Sequence, residues 1–214
     1  KLFDKENQEL SISYQIGLKL NDEDTDISEQ DNLINLQNFN DEKNIENTIQ
    51  IDYTHPLNID MIIMKANKVE TGAKVIDRNQ EMQYTTISDN QEYYRPTEVF
   101  NYKQRVIATY LASEWALSNN ITLKTGVRHE ATFVSGDWKP STTNMPFDTL
   151  YHDILPSIRL SKKLGIGKKI KFSYTKRISR PRTTYINTNT SRTDNKNIIV
   201  GNPSLFPSNT KQIE

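Results

Sequence analysis

From Leu10 to Leu20 the chain alternates without a break. Leu10, Ile12, Tyr14, Ile16, Leu18 and Leu20 are apolar, while Ser11, Ser13, Gln15, Gly17 and Lys19 are polar or glycine. A period of two places all the apolar side chains on one face of a β-strand. At roughly 3.4 Å per residue, the segment from Gln8 to Leu20 would reach about 40 Å. Strands in globular domains average about 5–6 residues, so this one is unusually long. A chain opening on such a segment is constrained to an all-β, antiparallel fold with long strands.

The pattern recurs. Ile45, Ile49, Ile51 and Tyr53 alternate with Glu46, Thr48, Gln50 and Asp52. Val69, Ala73 and Val75 form another apolar side, as do Ile121, Leu123 and Val127. Ile154, Pro156, Ile158, Leu160 and Leu164 make a fourth, and Ile170, Phe172, Tyr174 and Ile178 a fifth. Phe100 to Leu117 is strand-like, but the run Val106-Ile107-Ala108 blurs its faces and leaves a helical alternative open. The linking segments alternate in length. Long polar links run from 21 to 44, 77 to 99, 135 to 149 and 180 to 207. Short ones fall at His55–Asn58, Ser118–Asn120 and Gly165–Lys168. Antiparallel order puts successive links at opposite ends, so one end carries tight turns and the other long loops.

Bulk composition separates the ways of using such strands. Hydrophobic residues make up 35% of 214 positions. Even with glycine added, this is below the roughly 45–50% of ordinary globular domains. The longest apolar run, Met61–Met64, is far short of the roughly 20 residues a membrane helix needs. Membrane strands need only alternation, with lipid on the apolar side and a polar lumen on the other. Segregated loop lengths fit an outer-membrane barrel with short periplasmic turns and long external loops. Tyr53, Tyr102, Trp115, Trp138, Tyr151 and Tyr174 fall near the expected strand ends, where interfacial aromatic girdles belong. The alternative is a soluble β-sandwich binding module or surface adhesin, with the apolar sides packed on each other. With no cysteine, disulfide scaffolds, thiolate metal sites and cysteine nucleophiles are excluded.

Three stretches carry a family resemblance. They are Tyr102–Tyr110 leading to Leu123–Thr132 with Gly126, then Tyr151–Leu160 with Pro156, then Phe172–Arg182 with Pro181. The third is followed by Asn197 and by Gly201, Asn202, Pro203, Leu205 and Pro207. In this order they resemble the barrel domain of TonB-dependent receptors, especially the outer-membrane barrel proteins of Bacteroidetes. The likeness covers residues 100–214 best. It implies an up-and-down transmembrane barrel in the bacterial outer membrane, contacting the bilayer and lipopolysaccharide. It also implies import of a scarce nutrient (siderophore, cobalamin, glycan or peptide), driven by TonB acting through a plug domain. Residues 1–214 would supply about seven strands of that barrel and the start of another, without the plug or the barrel ends.

The motif residues also have local readings. Gly201-Asn202-Pro203 is turn chemistry, with glycine free to take positive φ. Pro181 after Arg180 ends the preceding strand, because proline donates no ladder hydrogen bond. Gly126 inside a strand marks a bulge or a close approach.

Charge is balanced overall, with 27 Lys and Arg against 27 Asp and Glu, but unevenly placed. No acid occurs between Ile154 and Thr193. In a barrel, Lys171 and Arg177 would face the lumen, and Arg180 and Arg182 the outer mouth, as candidate ligand-binding cations. Arg128 and Glu130 share a polar side and suggest a lumen ion pair. Phe172 and Tyr174 lie opposite Lys171 and Arg177, so cations and stacking rings do not share the surface a nucleic acid would need. Asp22, Asp24 and Asp26 lack the glycine and terminal glutamate of a calcium loop and read as an acidic external loop. His55, His129 and His152 have no metal-ligand spacing. Gly165-Ile166-Gly167-Lys168 lacks the remaining residues of a phosphate loop. No catalytic constellation is legible, so neither enzyme activity nor a cofactor or metal is expected.

Overall fold

Each alternating segment pairs with its neighbour in sequence. The computed structural model describes residues 6–29, 34–60, 65–88, 94–139, 146–188, 191–192 and 198–214. Its elements are β1 (Glu9–Glu29), β2 (Ile34–Asp60), β3 (Lys65–Ser88), β4 (Arg95–Ser118), β5 (Ile121–Lys139), β6 (Phe147–Gly165) and β7 (Lys168–Ser179). Then come α1 (Thr183–Ile186), β8 (Ser191–Arg192), β9 (Ile198–Ile199) and β10 (Ser208–Ile213). β1 to β7 and β10 form one antiparallel up-and-down sheet in that order, while β8 and β9 form a separate ribbon. The sheet does not close on itself. Phe100–Leu117 belongs to β4, which settles the ambiguous stretch as a strand.

The two faces differ in what covers them. Residues 180–187 and 203–207 lie over the face of Arg78, Gln104, Glu130 and Tyr151, here called the inner face. The other face carries the apolar stripe and is bare: Ile12 is 69% exposed, and Leu18, Leu111, Ile154 and Phe172 are exposed with it. A sandwich would bury that stripe, so the soluble alternative loses its core. Within Val106-Ile107-Ala108, Val106 and Ala108 are buried inward and Ile107 points outward.

The stripe also climbs across the sheet. Its midpoint on β1 is Gln15, whose row runs through Thr48, Ile76, Val106 and Thr132 to Tyr151. On β6 the stripe runs from Leu150 to Leu164, with its midpoint at Ser157, six residues past Tyr151. An apolar band that shifts steadily against the ladder rows belongs to strands tilted from its axis, the geometry of a barrel wall.

Strand length exceeds the alternating segments. β2 has 27 residues, and the long polar links at 21–44, 77–99 and 135–149 are mostly continued strand. Beyond the stripe the outer face meets water and need not be apolar, so the period-2 signal fades while the backbone ladder continues, even where the inner face buries Met82 and Trp138. The short link placed at His55–Asn58 is also strand, since β2 runs to Asp60 with an irregularity between Pro56 and Ile59. The turns at Asn119–Asn120 and Ile166–Gly167 stand where alternation puts them. Positive φ at Gly165 and Gly167 lets the latter reverse tightly.

Register corrects half of the aromatic girdle. Tyr53, Trp115 and Tyr174 lie on the outer face, in the alternation of Ile51, Leu111 and Phe172. Tyr102, Trp138 and Tyr151 take the opposite parity and pack inward. Pro156 sits beside the point where the β6–β7 ladder begins, at Ser157 with Thr175. Its missing N–H therefore costs no bond toward β7.

In the full-length protein folded into lipid vesicles, Ile16→Arg should lower unfolding stability by about 2–4 kcal/mol, and Gln15→Arg by under about 1 kcal/mol. Equilibrium denaturant titration checks both; equal costs would contradict the assignment of faces.

Candidate functional site

The inner face is built by alternate residues of paired strands. Glu46, Arg78, Gln104 and Val134 occupy one row from β2 to β5. Arg78 donates through Nε to Glu46 Oε2 at 2.8 Å and through Nη1 to Gln104 Oε1 at 2.8 Å. Gln104 Nε2 in turn donates to Tyr102 Oη at 3.0 Å. A charge on this face is thus met by a neighbour one strand away, which holds the polar side chains upright.

Glu130 is the centre of a second network. It is 6% exposed, and Arg128 Nε donates to its Oε1 at 2.6 Å. Its Oε2 accepts from Arg180 Nη2, and Arg180 also donates to Thr132 Oγ1 at 3.0 and 3.3 Å. A buried carboxylate needs such partners, and two guanidinium groups supply them. The Arg128–Glu130 pair expected on the polar side is present. Arg180 joins it by folding inward instead of standing free at the mouth, because Pro181 ends β7 and redirects the chain.

From there the segment is tied down in steps. Thr183 Oγ1 donates to Gln80 Oε1, and Asn187 Nδ2 donates to Tyr84 Oη at 2.6 Å. Ile186 is buried among Met82, Phe100, Tyr102, Val134 and Trp138, where Phe100 and Trp138 stack at 4.8 Å. Burying one such side chain stabilises by roughly 1.5–3 kcal/mol. The chain then returns over α1: the Gly201 N–H donates to the Asn187 carbonyl at 2.9 Å and the Asn202 N–H to the Tyr185 carbonyl at 2.7 Å. Gly201 does not use positive φ. It is required by proximity, since a Cβ there would stand 2.1 Å from the Asn187 carbonyl oxygen. Asn202 Oδ1 accepts from the Ser204 N–H at 2.9 Å, the turn that Pro203 opens. Pro181, Pro203, Leu205 and Pro207 line a small cleft against Tyr102 and Tyr151.

The remaining candidates lie apart. Lys171 and Arg177 are exposed on the inner face of β7, and Arg182 is exposed at the start of α1. Gly126 sits in regular pairing, not at a bulge, and a Cβ there would stand 3.0 Å from Ser157 Oγ. Asn197 lies outside the described residues. Glu46, Arg78, Gln104, Thr132, Thr183 and Asn187 were not singled out by sequence. Only the ladder register shows which of them share a row.

A family model for outer membrane β-barrel proteins matches residues 1–214. The chain belongs to the outer membrane protein beta-barrel family. Comparison with curated proteins and with solved structures returned no match. Membership places this barrel wall in the bacterial outer membrane, with its bare apolar stripe toward lipid and its hydrogen-bonded face toward the lumen. Residues 180–187 and 201–207 then fold over the lumen side of the wall.

Glu130→Ala leaves two arginines without their carboxylate and should cost on the order of 3 kcal/mol at the attachment of the segment. Gly201→Ala should expel the returning chain at 201–202 without touching Glu130. Hydrogen exchange checks both. The amides of residues 185–187 should lose protection in the first variant, and those of 201 and 202 should lose it in the second.

Proposed function

We propose that this wall belongs to a TonB-dependent outer-membrane receptor that imports a scarce nutrient: a siderophore, cobalamin, a glycan or a peptide. The observation carrying this reading is the latched segment over the lumen face. A passive pore needs an open lumen. Here an ion pair on the buried Glu130 and an apolar anchor hold the segment over it. Moving the segment away breaks the Arg180–Glu130 contact and exposes Ile186, whose burial stabilises by roughly 1.5–3 kcal/mol, so clearing the path calls for ligand binding or an energy input. The motif run from Tyr174 to Pro207, which resembles TonB-dependent barrels, builds this latch through Arg180, Pro181, Gly201 and Asn202. In this reading ligand is recognised at the external hairpins and mouth, and TonB acts through the plug.

The test is uptake by cells carrying the full-length protein, given siderophore-bound iron, cobalamin, glycan and peptide as limiting sources in turn. Growth on one source should depend both on this protein and on an intact TonB system. Growth that needs the protein but survives TonB inactivation would overturn the proposal.

A further inference from the structure

The lumen face divides by how its cations are met. On β1 to β5, Lys19 faces Glu42 at 3.9 Å, Lys68 faces Glu70 at 2.5 Å and Lys124 faces Glu114 at 2.8 Å. Arg78 pairs with Glu46, Arg128 with Glu130, and Arg180, beyond β7, with Glu130 again. Lys74 stands apart, between Gln50 and Ala108. On β6 and β7 the order changes. Arg159, Lys163, Lys169, Lys171 and Arg177 are all exposed on this face, and none has an ion pair among the described residues.

What lies between these cations is equally uniform. On the same face, from Ser157 to Lys163 of β6 and along β7, the other positions are Ser157, Ser161, Ser173, Thr175 and Ser179, with Leu155 and Asp153 next beyond Ser157. Every side chain of this strip therefore offers a hydrogen-bond donor. Of the carboxylates near it, Glu114 holds Lys124, Glu214 on the β10 side accepts from Gln212 and, at 3.5 Å, from Ser173, and Asp153 lies beyond Ser157, at the end away from Lys163 and Lys169. Lys163 and Lys169 are direct cross-strand partners. Like charges so placed repel across the ladder, and the repulsion is relieved when an anion sits between them. The strip runs down to the Gly165–Gly167 turn, away from the latched segment.

We propose that this strip is a binding site for a multivalent oxyanion, a solute carrying several carboxylates or phosphates, on its way along the lumen. The assignment rests on the importer reading for its direction of travel and names the chemical class of what passes. Charge and donors together select it. The five cations raise the local anion concentration, and the intervening hydroxyls replace the hydration lost on contact. Such a site binds without dehydrating a buried pocket, so its affinity falls as salt rises.

Calorimetry on the full-length protein in detergent tests this with inositol hexakisphosphate and citrate as phosphate and carboxylate probes, and sucrose as the neutral control. At least one anion should bind while sucrose does not, and the affinity should fall about tenfold or more in the K163Q/K171Q variant. Lys176→Gln, on the opposite face of β7, should leave it unchanged. The unaltered protein gives a second reading, since binding should weaken as ionic strength rises from 0.05 to 0.5 M, on the order of one decade. No binding of either anion overturns the site, as does binding insensitive both to the variant and to salt; a strip that takes only an acidic protein surface would give the first result. These measurements need no TonB. TonB-independent uptake with anion binding intact counts against the importer alone, whereas TonB-dependent uptake without anion binding counts against this strip alone.

Discussion

A strand crossing hydrocarbon must pair every backbone N–H and C=O with a neighbouring strand, because no water is there to take them. The rest of this structure follows from that requirement. β2 to β7 each pair with a neighbour on both sides, while β1 and β10 are the two edges of the open sheet, and the ladders continue past the apolar stripe. Once the backbone is satisfied by the ladder, side chains are free to specialise by face. The outer face needs only lipid contact, so Leu10 to Leu20 and Ile154 to Leu164 stand exposed without strain. The inner face must organise water, charge and any passenger.

Glu130 links that inner face to the loop above it. One carboxylate holds Arg128 within β5 and Arg180 beyond β7, so the wall and the segment 180–207 share a single ionic joint. The apolar contacts of Ile186 with Phe100, Tyr102 and Trp138 give the segment its second attachment. The inner face of the wall is therefore covered at one end and carries a run of exposed cations at the other. Paired charges hold the wall in shape, while the cations of β6 and β7 remain available to a ligand.

The fold was legible because lipid and lumen impose opposite polarity on neighbouring residues. Leu10–Leu20 and Ile170–Ile178 show this directly, and their strands lie where alternation places them. Legibility ended where the stripe ends. Asp22 to Asp26 is polar throughout, and Asn79 to Ser88 has only Met82, Tyr84 and Ile87 as scattered apolar positions, so only pairing reveals them as strand. Tyr102, Trp138 and Tyr151 were misassigned to a girdle because closeness to a strand end says nothing about parity. The Arg128–Glu130 pair was readable from a spacing of two. Arg180 was not, because its partner lies 50 residues away in sequence and a proline-directed turn brings them together. The fit of Gly201 against Asn187 likewise needs three dimensions.

The central claim is that alternate residues of one strand face lipid and water. The chain has no cysteine, so single cysteines can be placed along β1 and spin-labelled in the full-length protein in vesicles. Labels at positions 12, 14, 16 and 18 should collide with dissolved oxygen, and labels at 11, 13, 15 and 17 with a water-soluble nickel chelate. A two-residue oscillation with opposite phase for the two reagents is the predicted result. Uniform access of the nickel chelate to both sets would mean that β1 lies in water on both faces, and the barrel-wall account would be wrong.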